Sequence, residues 1–195
     1  MPLSVPVPTL STDPGYLLWA PLGTAEPTHA VTGSVFSDDW TAVTGWEVLG
    51  ATPEGHEFSW STDTDTIEVA EFLDPIKYVE TGRSGSFSFA LADVKMSNLK
   101  RALNGGTVTT TGSTTTTMSK YVPAKLGEST RCMIGWESQD RTERLIGYQC
   151  FNTGSVSIAR RKGTDYARIP VEFSLEVPVG GQPFAYYTAG AVRSA

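Results

Sequence analysis

The sequence predicts a mainly β fold with a single α-helix lying against it. Residues 86–91 and 169–177 alternate apolar with polar side chains, which is the period of a half-buried strand. Only one stretch, about 93–104, has apolar residues at helical spacing. Nineteen glycines, twelve prolines and abundant threonine favour turns and strands. We therefore expect a β-sandwich or β-barrel of one domain with one flanking helix.

The first fifty residues are expected to contain little regular structure. Residues 1–12 carry three prolines and predict an extended N-terminal arm. Residues 13–50 form a loop-rich lead-in, with a strand around Thr41–Leu49. The arm is followed by one β domain over 13–180 and by a C-terminal tail over 181–195. The N-terminus lacks the pattern of a signal peptide, and the apolar runs are too short to cross a membrane, so no membrane insertion is expected.

The strands become dense after residue 55. Phe58 and Trp60 alternate with polar neighbours, and residues 67–73 look like a strand that Asp74-Pro75 interrupts before a second segment at 76–80. The alternation at 86–91 predicts a half-buried strand that leads directly into the helix.

The predicted helix has recognisable ends. Asp93 is placed to act as the N-cap, because its carboxylate can accept the unpaired amide protons of the first turn. Met96, Leu99 and Leu103 form a narrow apolar stripe. Lys100 and Arg101 complement the helix dipole in the last turn, and Gly105-Gly106 ends the helix.

Residues 107–117 contain eight threonines. Such a segment is either an exposed strand or a mobile loop, and its low complexity favours the loop.

A β-hairpin is predicted from residues 131–137 and 143–151. Pairing residues whose numbers sum to 282 places Cys132 opposite Cys150, and Trp136 opposite Ile146. The cysteines are then buried neighbours, and we expect free thiols. The last predicted strand turns Ile169, Val171, Phe173, Leu175 and Val177 inward.

Charge is distributed unequally along the chain. Residues 1–82 contain 13 acidic side chains and one basic side chain, whereas residues 83–195 contain 8 acidic and 14 basic ones. This pattern fits two solvated surfaces, or acidic and basic faces through which identical copies associate. The candidate inter-subunit contacts on the basic side are Lys100, Arg101, Arg160, Arg161 and Lys162.

No combination of residues predicts an active site. The only histidines are His29 and His56, which are expected to be solvated, and neither has a nucleophile motif or a set of metal ligands around it. We therefore expect no enzyme activity, no cofactor and no metal. The five tryptophans are expected mainly in the core and at interfaces; sugar platforms at Trp40, Trp46 or Trp60 in a surface-binding β-sandwich are the alternative.

Several segments resemble the major tail tube proteins of long-tailed bacteriophages, most closely in texture those of phages infecting actinobacteria. They span about two-thirds of the chain, roughly 55–178. The segments are residues 76–83, 86–91, 93–106, 132–137, 149–157 and 169–177.

This resemblance implies a structural virion protein that assembles into stacked six-fold rings, through which double-stranded DNA passes without specific binding. Its partners would be copies of itself, the tape measure protein, the tail terminator and tail-tip proteins, with assembly in the host bacterial cytoplasm. The arm and the loops near 20–40, 61–65 and 107–120 would contact adjacent rings. The candidate acidic lumen residues are Glu68, Glu71, Asp74 and Glu80. A tail terminator or minor tail protein of the same fold is the alternative.

Overall fold

The computed structural model describes residues 15–68, 74–113, 116–158 and 167–190. The described chain contains twelve β-strands, one α-helix and a short 3-10 turn at Trp40–Ala42. The strands are β1 (Tyr16–Pro21), β2 (Val31–Thr32), β3 (Val35–Phe36), β4 (Glu47–Val48), β5 (His56–Ile67), β6 (Lys77–Leu91), β7 (Thr107–Ser113), β8 (Thr116–Val122), β9 (Cys132–Glu137), β10 (Glu143–Asn152), β11 (Ile169–Leu175) and β12 (Phe184–Thr188), and the helix is α1 (Met96–Ala102). The predicted mainly β fold with one helix is confirmed.

Eight of the strands form one antiparallel sheet in the order β4-β1-β9-β10-β11-β6-β5. The eighth strand, β12, pairs with the same edge of β10 as β11 does. β12 pairs with Glu143–Gly147 of β10, while β11 pairs with Cys150–Asn152. The strands β2–β3 and β7–β8 form two separate hairpins. Since the described part of α1 is seven residues long, this helix is far too short to cross a membrane, and the described residues contain no other α-helix.

The sheet carries apolar residues on both faces at its β1–β9–β10 end. The larger cluster includes Phe87, Phe173 and Ile134, all at most 2% exposed. The smaller cluster on the other face includes Trp40, Trp46 and Met133, and residues 22–46 cover it. Gly135 is required here, because a Cβ atom would lie 2.5 Å from the Trp40 ring. This end of the sheet is therefore buried on both sides.

Strand β1 lies in the segment expected to be a loop-rich lead-in. It pairs with β9 along its whole length and with β4 on the other side. Leu17 and Leu18 are adjacent and both buried, one in each cluster. A strand covered on both faces shows no period-two alternation, which is why the pattern did not reveal it. The strand expected around Thr41–Leu49 is reduced to the 3-10 turn and β4.

The helix is shorter than predicted and buries a different side. It begins at Met96, and Lys95 occupies the N-cap position without a side-chain cap bond, so the prediction of an Asp93 cap is wrong. Met96 and Leu103 are largely exposed, whereas Asn98 and Ala102 are buried. The Asn98 amide donates to the carbonyl of Asp93 at 2.9 Å and to that of Leu49 at 3.4 Å. Hydrogen bonds as well as apolar packing hold α1 on the sheet.

The β9–β10 hairpin is present, and its register differs from the prediction near the turn. Cys132 pairs with Cys150 as expected, but Trp136 faces Leu145 and Gly135 faces Ile146. A β-bulge between Gly147 and Cys150 shifts the pairing by one residue, since a bulge adds one residue to one strand. Both cysteines are buried and free, as predicted.

Two other segments differ from expectation. The threonine-rich segment forms strands β7 and β8 rather than a loop, with register Thr107–Val122 through Ser113–Thr116. Phe184–Thr188, within the expected C-terminal tail, forms β12. In β11, Ile169, Val171 and Phe173 are buried as predicted, whereas Val177 lies beyond the strand and is 67% exposed.

Candidate assembly surfaces

One half of the large sheet is covered by residues 22–46, which we call the covering segment. A buried arginine holds this segment in place. Arg144 on β10 is fully buried. Its guanidinium donates to the Glu137 carboxylate at 2.6 Å and to the Asp38 carboxylate at 2.8 Å. The same group lies 4.3 Å from the centre of the Phe36 ring and 5.3 Å from that of Trp40. Arg144 thus joins the sheet to the covering segment through charge, hydrogen bonds and ring contacts.

Asp38 is the part of the covering segment that this network fixes most firmly. Burial acts to raise the pKa of its carboxyl group, but the hydrogen bond and the positive charge of Arg144 outweigh that effect and hold the pKa below its usual value. A second oxygen of Asp38 accepts the backbone N–H of His29 at 3.1 Å. The carboxylate therefore connects the backbone at His29 with Arg144 on the sheet.

The other half of the sheet, β5–β6–β11, leaves one face bare and polar. The side chains on this face form three cross-strand rows, and Asp63 on β5 follows them: Glu57–Ser88–Glu172, Ser59–Ser86–Ser174 and Ser61–Ser84. We call these eight side chains, together with Asp63, the hydroxyl–acid face. Serine hydroxyls bond across the strands, with 3.0 Å between the Oγ atoms of Ser59 and Ser86 and 2.7 Å between those of Ser61 and Ser84. All of its charged groups are carboxylates.

The opposite face of the same three strands is aromatic and buried. Phe58, Phe87 and Phe173 form the row directly behind the Ser59 row. The Phe58 and Phe87 ring centres are 5.0 Å apart, and Phe87 and Phe173 are fully or almost fully buried. Strict alternation over three strands therefore separates a packed side from a polar side.

Strands β5 and β6 continue past the core as a projecting hairpin. From Thr62 onward every β5 residue is exposed, and so are the β6 residues Lys77–Thr81. At about 3.3 Å per residue, Thr62–Ile67 extends the hairpin by about 20 Å. Exposed apolar side chains here include Ile67 at 48% and Tyr78 at 66%. These side chains are not covered by any part of the chain that the structure describes.

The predicted lumen residues lie near the far end of this projecting hairpin. Glu68, Asp74 and Glu80 are exposed, and Glu80 forms an ion pair with Arg83. Glu71 lies outside the described residues. The hydroxyl–acid face was not singled out from the sequence, although the alternation of Ser84, Ser86 and Ser88 with apolar residues was the available signal.

The comparison with known families decides the identity. The sequence profile described as "Phage tail tube protein" matches residues 10–186, most of the chain. The chain belongs to the phage tail tube protein family. No curated protein matches it significantly. Among solved structures, the cryo-EM structure of the anti-feeding prophage cap (AFP tube terminating cap) is similar over 97% of this chain and 95% of that chain, with 9% identity and a TM-score of 0.41.

Membership in this family makes the protein a structural component of a phage tail and a virion protein. The described residues contain no group of histidine, cysteine or acidic residues arranged to hold a metal ion. Trp40 and Trp46 are buried at 2% and 4% exposure, so they are not available as sugar platforms. His29 is packed against Tyr187 at 3.9 Å between ring centres rather than solvated.

The predicted basic contacts of the tail tube protein fall into three groups. Lys100 is exposed and has no ion pair among the residues that the structure describes. Arg101 pairs with Glu47, lies 4.6 Å from the Trp19 ring centre and donates to Asn98 at 3.2 Å. Arg160, Arg161 and Lys162 lie outside the described residues. Lys100 is therefore free to contact another copy, whereas Arg101 is used within its own chain.

This difference predicts separate effects of two charge reversals. Lys100→Glu should change the free energy of unfolding by less than about 0.5 kcal/mol, as is usual for exposed sites. Arg101→Glu should lower it by about 1–3 kcal/mol, because it removes the Glu47 pair and places a second carboxylate beside it. Urea denaturation of both variants measures the difference. Equal stability of the two would contradict the described role of Arg101.

Proposed function

We propose that this tail tube protein assembles into hexameric rings, which stack into a tube that conducts DNA during ejection. The hydroxyl–acid face supports the proposal most directly. A wall that DNA slides past must attract neither phosphates nor bases, and basic side chains are what bind the DNA backbone. The serine and carboxylate rows of this face present hydroxyl groups and negative charge, with no lysine or arginine among them.

The two halves of the sheet support one orientation in such a ring. Residues 22–46 cover the outer face of β1–β9–β10, held by Arg144, and leave β5–β6–β11 bare. In a ring with β5–β6–β11 facing inward, the polar face of these strands lines the lumen. The half formed by β1–β9–β10, with residues 22–46 packed on it, then forms the exterior. The projecting end of β5–β6, about 20 Å long by the spacing of strand residues, then extends toward the next ring.

Membership in the family supports the remaining parts of the proposal. The protein acts without catalysis, by self-association, and its other partners are the tape measure, terminator and tail-tip proteins. It assembles in the host cytoplasm before it becomes part of the virion. A tail terminator of the same fold would form single rings, whereas a tube protein continues to stack.

Electron microscopy of the purified chain, alone and with the tail-tip complex, tests the assembly. We expect six-fold rings and long tubes of uniform bore. A protein that stays monomeric under both conditions would overturn the proposal, and single rings that never stack would favour the terminator.

A lysine on the hydroxyl–acid face tests the lining. Ser61→Lys should leave tubes intact but make them retain labelled duplex DNA, and the retention should weaken as salt rises. Thr44→Lys, which adds the same charge to an exposed position of the covering segment, is the matched control. Fluorescence of DNA that sediments with the tubes measures retention. Equal retention by both variants would place the lumen elsewhere.

A further inference from the structure

The threonine-rich hairpin has open strand edges. Strands β7 and β8 pair with each other and with no other strand in the described part of the chain. Apart from Val108 and Tyr121, the described side chains of both strands are exposed. Exposed apolar groups include Met118 at 65% and Val122 at 46%. A two-stranded hairpin with only two partly buried side chains is marginally stable in water, so it gains from a further partner.

This hairpin also lacks the features that normally protect an edge. Residues 107–122 contain no proline, and Lys120 is their single charged residue. The register runs from Thr107–Val122 to Ser113–Thr116 without a bulge. Proteins usually block open edges with charges, prolines or bulges to prevent pairing between chains. Edges without these features are suited to strand addition.

A second long open edge lies at the end of the large sheet. β5 pairs with β6 on one side, is the terminal strand of the sheet, and is twelve residues long. Its charged residues are Glu57, Asp63 and Asp65, with no lysine or arginine. β8 is seven residues long and carries Lys120. The two edges are therefore complementary in charge, and β5 is long enough to accept all of β8.

We propose that β8 of one copy adds to the outer edge of β5 of the adjacent copy, with Lys120 beside Asp65, beyond the hydroxyl–acid face. The inference rests on the proposed self-assembly and names its contact. Main-chain hydrogen bonds provide the attraction, and the pairing of Lys120 with Asp65 sets the register. Because each copy contributes two different surfaces, the contact is head-to-tail and repeats from subunit to subunit until a ring closes.

Hydrogen exchange of the full chain tests the main-chain pairing. Amide exchange is followed by mass spectrometry for the monomer and for assembled tubes. We expect peptides covering 56–67 and 116–122 to exchange at least about tenfold more slowly in tubes, since new hydrogen bonds protect their amides. Equal exchange of the 116–122 peptide in both states would overturn the pairing, even if the tubes themselves form normally.

A charge exchange tests the register. Lys120→Glu and Asp65→Lys should each raise the concentration needed for half-assembly by at least about threefold, and their combination should restore it. Lys125→Glu, which makes the same charge change just beyond β8, is the matched control. Circular dichroism confirms that each monomer is folded. Failure of the double variant to recover assembly would overturn the proposed register, whereas a wild-type chain that never assembles would overturn the proposed function instead.

Discussion

Arg144→Ala is expected to lower the free energy of unfolding by about 3–5 kcal/mol. The substitution leaves the Glu137 carboxylate, 8% exposed, with only the half-exposed Arg141 as a cationic partner, and it removes the ion pair of Asp38 in the covering segment. It also removes the cation that lies on Phe36 and Trp40. Urea denaturation followed by tryptophan fluorescence measures the loss, and Trp40 and Trp46 are two of the five tryptophans that contribute to the signal.

Arg141→Ala is the control for this prediction. Arg141 contacts the same two acidic residues, but its side chain is 38% exposed. Its loss should cost about 1 kcal/mol or less, because water reaches the charges that remain. A loss for Arg144→Ala no larger than that for Arg141→Ala would show that Arg144 does not hold the covering segment.

The same network gives stability a dependence on pH. Asp38 has a lowered pKa in the folded chain, so its contribution is fully present above the unfolded value of 3.8. That contribution is lost as the pH falls through the lower folded value. Between pH 5 and 3 the wild type should therefore lose more stability than Asp38→Asn, as thermal unfolding at several pH values would measure.

Phe87→Ala is expected to destabilise the monomer by about 3–5 kcal/mol. Phe87 is fully buried on β6, between Phe58 on β5 and Phe173 on β11. Strands fix the backbone on both sides, so the cavity left by the ring cannot collapse easily. Chemical denaturation of the monomer measures the effect.

Tyr78→Ala is the matched control on the same strand. Tyr78 is 66% exposed in the projecting hairpin, and its removal should change monomer stability by less than about 0.5 kcal/mol. If Phe87→Ala were tolerated equally well, the aromatic row behind the hydroxyl–acid face would not be the core of the sheet.

Alternation identified strands with one solvent-exposed face, such as β11, and missed β1, which is buried on both faces. Ile169, Val171 and Phe173 in β11 follow the rule because β5–β6–β11 is polar on one side. β1 does not, since covering residues bury its second face. A strand's second face depends on distant parts of the chain, and no local pattern contains that information.

The β9–β10 hairpin shows how one bulge limits a register derived from pattern. A constant sum placed Ile146 and Trp136 on one face, yet Ile146 packs with Met133 in the smaller cluster. The extra residue after Gly147 restores the expected pairing only at Cys132 and Cys150. A strand register predicted from period-two alternation assumes that every residue of one strand pairs with one residue of the other. A β-bulge violates this assumption, and no obvious sequence pattern marks its position.

The hydroxyl–acid face was not predicted from the sequence. The acidic residues proposed for a lumen are clustered in sequence, while the hydroxyl–acid face is assembled from three strands. Arg144 was missed because a charged residue inside an apolar strand has no pattern of its own. Its partners Asp38 and Glu137 are far apart in the chain, and only tertiary folding brings them together.

The position of β12 has a consequence for when the subunit becomes complete. β10 offers one edge to two strands, and Phe184–Thr188 takes the portion at Glu143–Gly147. During synthesis that portion stays open until nearly the whole described chain has left the ribosome. An incompletely synthesised chain therefore has an incomplete sheet. Full-length subunits should associate in an ordered way more readily than such incomplete chains do.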